Sequence, residues 1–343
     1  MKLPGPRPTA IVLTTAVMLI APSAGLAQAT GRAAVATTSH FVFYSDFDTN
    51  LNDALIAAGG ARRANKTEFF HSGSEKACFD ELPAAERAAW NRAVDYYTEI
   101  VSPVQYSARE QFLPRLLLAG VVKKEALTDA ADQRLLEISS AFRAAAAPAY
   151  ERCRWSAQDA ANRRWIDNVL RLLALHEKTL AQRLPELYGT PWVGLPFRVD
   201  VVETVSFAGA NSVNLRPPGL HILVSSSNSG HQDRAALEGV FHEASHFLTG
   251  FKTPLRAALD AAARDGRTVP GDLTHPVHFF MTGEAVRRVL EKPGEPPYTP
   301  YLYAQSLFSS EFRDAIMKTW PAYMDGKRTL QEAAADLIRA LGK

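Results

Sequence analysis

The segment Val240-Phe-His-Glu-Ala-Ser-His-Phe-Leu248 constrains this chain more than any other. Leu237, Val240, Phe241, Ala244 and Leu248 recur at helical spacing and form one apolar stripe. The spacing predicts a helix over 233–249 that buries the stripe, with Gly250 as its C-terminal stop. His242 and His246 are four apart, so they project one turn apart from the same face of that helix. Two imidazoles so placed can reach one metal ion, and zinc accepts nitrogen ligands in tetrahedral geometry. Glu243, beside the first histidine, can accept a proton from a water at the metal without itself ligating the ion. The chain has nine histidines, and chance placement would give roughly 0.01 such patterns. The competing reading is a pair of surface histidines on an amphipathic helix.

Zinc in a catalytic site takes a third protein ligand and keeps one position open. The leading candidate is Glu284, in Met281-Thr-Gly-Glu-Ala-Val-Arg-Arg288, on a helix expected over 272–290. Gly283 would let that helix pack closely on the first, and Arg288, four residues on, would orient a carboxylate at 284. His275, His278 and Asp272 compete for the same role. Glu238, one turn before His242, reads as a solvated helix residue or as a group behind the ligands.

The pattern resembles the gluzincin group of zinc metallopeptidases, in which a Glu on a later helix completes a His-Glu-x-x-His site. The resemblance covers mainly residues 197–290. It implies His242, His246 and Glu284 as zinc ligands and Glu243 as general base. The metzincin pattern fails, because Gly250 stands one place too late and Lys252 occupies the third histidine's position. Many gluzincins use a downstream Tyr or His to stabilise the tetrahedral intermediate, and among Tyr298, Tyr301 and Tyr303 the choice falls on Tyr301. In zincins the strand before the metal helix edges the cleft and pairs with extended substrate. Residues 221–226 stand in that place.

Elsewhere, residues 40–45, 197–205 and 221–226 read as strands, with 209–219 as a loop or wide hairpin connection. A helix over 51–58 ends at Gly59-Gly60. Residues 82–187 are helical, with Pro83, Pro103, Pro114, Pro148 and Pro185 dividing them. Two more helices follow Tyr301, with interruptions near Pro321 and Gly326. The expected class is α+β, predominantly helical. A zincin-like domain with a small mixed sheet spans 191–343, and a strand-helix unit with a helical region spans 30–190.

Residues 1–29 have the form of a cleavable signal peptide: a weakly positive start, an apolar run from Ala10 to Ile20, and small residues before a cleavage site. No later segment is long and apolar enough to span a membrane. Cys78 and Cys153 are then expected to pair in an oxidising compartment, periplasmic or extracellular. A formal net charge of +2 without a basic stripe argues against nucleic acid as a partner. The expected activity is hydrolysis of a peptide or protein substrate through zinc-activated water. The alternatives are a non-catalytic peptide- or protein-binding protein on the same fold, and a structural zinc site.

Overall fold

The computed structural model describes residues 33–65, 72–104, 109–205, 209–215, 219–250, 252–263, 273–291, 293–294 and 296–342. The expected signal segment lies outside the described residues. Five short strands form one sheet: β1 (Ala36–Thr37), β2 (Phe41–Tyr44), β3 (Phe197–Val202), β4 (Ala210–Leu215) and β5 (Gly219–Ser225). Their order is β1-β2-β3-β5-β4. β2, β3 and β5 run parallel, and β1 and β4 flank them antiparallel. The rest of the described chain is predominantly helical. Five helices lie between β2 and residue 150: α1 (Phe47–Arg63), α2 (Gly73–Asp80), α3 (Ala84–Tyr96), α4 (Arg109–Leu118) and α5 (Ala130–Tyr150). α6 (Ser156–Tyr188) leads into β3, and α7 (Arg234–Ser245), α8 (Pro254–Ala263) and α9 (Thr274–Leu290) follow the sheet. α10 (Tyr301–Ala304), α11 (Ser310–Thr319), α12 (Pro321–Met324) and α13 (Leu330–Leu341) complete the fold. The class is α+β with a small mixed sheet, as expected. No described helix is long and apolar enough to cross a membrane.

Strand alternation gives the sheet two different faces. Phe41, Phe43, Phe197, Val199, Val201, Leu220, Ile222 and Val224 enter the larger apolar core, which also takes Val169, Leu173, Val240 and Phe241 from α6 and α7. A second core gathers Leu51, Leu55, Phe79, Trp90, Tyr97 and Tyr150 from α1, α2, α3 and α5. The cores do not divide at the boundary expected at 190/191. β2 pairs with β3 in the sheet, and α6 contributes to the larger core. Cys78 and Cys153 form the expected disulfide, closing a separation of 75 residues, and Cys153 packs on the second core.

Several helices override the punctuation in the sequence. α1 begins where the Asp46 carboxylate accepts from the Thr49 N–H at 2.8 Å, and it continues through Gly59-Gly60. Gly59 serves close packing: a Cβ there would lie 2.6 Å from Ser102 Oγ and 2.8 Å from the Tyr97 carbonyl carbon. Pro114, Pro148 and Pro185 lie inside α4, α5 and α6. After Pro148, α5 passes into a π-helical segment, Glu151–Trp155, and then directly into α6. α8 has no counterpart among the expected helices.

The sheet's second face carries a buried ionic cluster. Asp200, on the central strand β3, is fully buried. It accepts from Arg198 Nε at 2.6 Å and from His221 Nε2 at 2.7 Å, and the Arg198 guanidinium stacks 3.9 Å over the Tyr44 ring. Burial alone would raise the Asp200 pKa, but Arg198 and His221 hold it well below its ordinary 3.8. The folded carboxyl therefore titrates below the unfolded one. Its contribution to stability is complete above the unfolded value and is lost as the pH falls towards the lowered one. Asp200→Asn strands a largely buried guanidinium and should cost about 3–5 kcal/mol at neutral pH. Urea denaturation should show that loss at pH 7 and a gap that narrows as the pH is taken below 4.

Candidate metal centre

α7 lies against β4, β5, α6 and α9 with its apolar stripe buried. It ends at Ser245, and the chain tightens into a 3₁₀ turn, His246–Thr249. α9 runs antiparallel to α7 in a fixed register. Gly283 faces Glu238, where a Cβ would lie 2.8 Å from Glu238 Oε1. The His242 ring lies 3.9 Å from Phe279 and 4.2 Å from His278, centroid to centroid. The His246 ring lies 5.1 Å from His275. Facing residues thus fall along α9 as they rise along α7. Gly283 permits the close approach, as the sequence suggested.

This register gathers ligand atoms of His242, His246 and His275 within 4.8 Å of one another. The expected third ligand, Glu284, is not in the group. It stands nine residues after His275 on the same helix, about two and a half turns, so it projects from the opposite side. Its carboxylate is taken by Arg287, through Nε and Nη2 at 2.6 Å each, and by Arg288 Nε at 2.7 Å. Burial would raise the Glu284 pKa, but these two arginines hold it below the usual carboxylate value. Arg288 does pair with Glu284 as expected, but away from the histidines. Asp272, the other carboxylate candidate, lies outside the described residues. Among the described residues, the side chain that converges with His242 and His246 is therefore His275 and not Glu284.

The donor set suits a divalent cation. Burial, reinforced by the neighbouring imidazoles, depresses the His242 pKa well below its ordinary value, and burial takes His246 down to about 3. Both rings are therefore neutral at physiological pH and offer nitrogen lone pairs. His242 Nδ1 and Glu243 Oε2 are buried with no hydrogen-bond partner among the described residues. Glu243 Oε2 lies 3.9 Å from His246 Nε2. Burial pushes the Glu243 carboxyl up to about 8, opposed by a hydrogen bond with the Ser212 side chain.

Ser212 belongs to β4, and here the structure corrects the sequence in a second respect. Residues 221–226 do not form the sheet's edge: β5 lies between β3 and β4. The edge beside the metal helix is β4, in the segment expected to be a loop. It contributes Ser212 to Glu243, and its Ala210 lines a small cavity with His231, Gly239, His242, Glu243, Phe279 and Tyr301.

Tyr301 thus lies in the same cavity as Glu243. Its ring stacks on His231, with centroids 4.9 Å apart and planes 10° apart. Its N–H donates to Glu238 at 3.0–3.1 Å, and burial raises its pKa, which keeps the hydroxyl protonated. Tyr298 donates its hydroxyl to Glu238 Oε2 at 2.6 Å. Tyr303 packs at the margin of the larger core. Glu238 itself is 1% exposed, which excludes a solvated role. Burial raises its pKa to about 7, while Tyr298 and the Tyr301 N–H partly offset the rise.

His278 is fully buried, and both its ring nitrogens are engaged. Nε2 lies 3.0 Å from the His242 carbonyl and Nδ1 lies 2.6 Å from the Tyr188 hydroxyl. A carbonyl only accepts, so Nε2 carries the proton. The neutral ring then accepts from Tyr188 at Nδ1.

If three imidazoles form the centre, His246→Ala and His275→Ala should each lower zinc affinity at least tenfold, while Glu284→Gln should leave it within about twofold. Competitive titration against a chelating indicator measures this. A large loss in Glu284→Gln with none in His275→Ala would restore the sequence-based assignment. Scans against family models, the curated proteins and the solved structures find no significant match, so the centre is read from its own geometry.

Proposed function

We propose that the protein is an exported zinc-dependent peptidase that cleaves peptide bonds at the His242–His246–His275 centre, with Glu243 as general base. The observation that carries this reading is the place of Glu243. A carboxyl with one unpartnered buried oxygen sits 3.9 Å from the ring nitrogen of a histidine in the ligand group. A group meant only to complete a structural metal site would be a ligand, and structural zinc has four protein ligands. Three histidines leave one position open.

A cation at the three imidazoles supplies a Lewis acid and lowers the pKa of water. Glu243 Oε2 accepts the proton of the attacking water and returns it to the leaving amine. Glu243 lies beside the His246 ring nitrogen, in reach of a water there for both transfers. Ser212 fixes the other side of that carboxyl and aims the free oxygen. Tyr301, protonated and at the cavity wall, is placed to donate to the developing oxyanion. Among the described residues β4 pairs with β5 alone, so its other side suits an extended peptide adding as a further strand. The ligand set departs from the gluzincin one, with His275 in place of a glutamate, so the activity proposed here is that of a zinc peptidase of zincin-like design rather than of a named family. The disulfide agrees with an exported setting.

Glu243→Gln should retain bound zinc and lose at least a hundredfold in cleavage of a peptide library. Full activity in that variant would exclude the mechanism. Sustained absence of cleavage by the zinc-loaded natural protein would point to a binding protein on the same fold.

A further inference from the structure

The centre holds a fourth imidazole that is not among the converging ligand atoms. The His278 ring is nearer to the other two rings than His275 is: its centroid lies 4.2 Å from His242 and 4.5 Å from His246, against 5.7 Å and 5.1 Å for His275. Yet the ligand atoms that meet are those of His242, His246 and His275. Distance does not account for this, and hydrogen bonding does. One His278 nitrogen donates to the His242 carbonyl and the other accepts from Tyr188. The Tyr188 hydroxyl has a single proton, which goes to His278 Nδ1 at 2.6 Å in preference to the His278 carbonyl at 3.3 Å, so the Thr282 hydroxyl 3.1 Å away donates to it. Tyr188 and His278 are both fully buried, so no water competes for these bonds.

We propose that Tyr188 is a positioning residue that holds His278 out of the metal's coordination shell and so preserves the open position a hydrolytic centre needs. Four imidazoles close together would otherwise close a tetrahedral shell, and a closed shell is a structural site. Tyr188 is the last residue of α6, a helix with no ligand of its own. Without its hydroxyl, His278 Nδ1 becomes a buried acceptor with no donor, and the strongest partner within reach of a turn of the ring is the metal. The proposal rests on the metal centre proposed above.

Cobalt(II), which reports coordination through its visible spectrum, is the probe, with azide as an exogenous ligand. The full-length protein should bind one Co2+ and show a spectral shift with azide, and His246→Ala should lose both. Tyr188→Phe should still bind Co2+, lose the azide shift, and gain one imidazole by pulsed EPR. Tyr188→Phe/His278→Gln should recover the shift. His278→Gln alone should keep three imidazoles and the shift, which tests the proposal even if Tyr188→Phe does not fold. A merely structural tyrosine would weaken folding without altering the imidazole count, and the double variant would not recover. An unchanged azide response in folded Tyr188→Phe, or loss of an imidazole in His278→Gln, overturns the lock while leaving the centre intact. Failure of the natural protein to bind Co2+ overturns the centre and the lock with it.

Discussion

The antiparallel contact between α7 and α9 fixes most of what this protein can do. Its register is set where Gly283 meets Glu238 without a Cβ between them. From that point four-residue steps along two helices bring Phe279 to His242 and His275 to His246. The hydrogen bond from His278 Nε2 to the His242 carbonyl locks the same register through the main chain. A larger residue at 283 would push the helices apart or slide one along the other, and a slide of one turn would place a different side chain opposite His246. The centre therefore depends on a small residue two turns away from it as much as on its own histidines.

Burial then sets the chemistry. Glu238, His242 and Glu243 are on one helix and nearly inaccessible to water. Burial raises the carboxyls and lowers the imidazoles, so each group moves towards its neutral form. Glu238 is compensated by Tyr298 and the Tyr301 N–H. His242 Nδ1 and Glu243 Oε2 have no such compensation, and a buried polar atom left unpaired costs about 1–3 kcal/mol. The contrast between two buried glutamates five residues apart separates their roles. Glu238 holds the 298–301 segment in place, and Glu243 keeps an oxygen ready.

What could be read from the sequence was local. The His-Glu-x-x-His helix, the strands near 41 and 197 and the 78–153 disulfide follow from periodicity, composition and compartment. The side chain that joins His242 and His246 did not, because His275 and Glu284 share a helix and only the tertiary register decides which side of it faces α7. Their two-and-a-half-turn offset puts them on opposite sides of the helix, so at most one could face α7, but it does not say which. β4 was missed because Ala210-Asn-Ser-Val-Asn-Leu215 is poor in β-branched and aromatic residues, and its pairing with β5 overrides that weak local preference. Gly59 read as a helix stop because a glycine's need for space looks, in sequence, like its need for a turn. The burial of Glu238 was likewise invisible, since Tyr298 and Tyr301 reach it from some sixty residues downstream.

α6 connects these separate constraints. At 33 residues it is about 50 Å long, and its N-terminal end joins the π-helical segment that carries Cys153. Along its length it fixes the approach to α7. Asn162 accepts from Ser226, Trp165 donates to the His231 carbonyl, and Asn168 donates to the Asp233 carbonyl. Asp233 enters α7 with a positive φ of 48°, a conformation that non-glycine residues adopt at a cost. The hydrogen bond from Asn168 helps to hold it. At its other end Tyr188 grips His278. One helix thus fixes the entry to α7 and, through His278 on α9, the far side of the histidine group while contributing no member to it, and the disulfide ties the start of that helix to the second core. The N-terminal helical region is therefore part of the centre's support rather than an appendage to it.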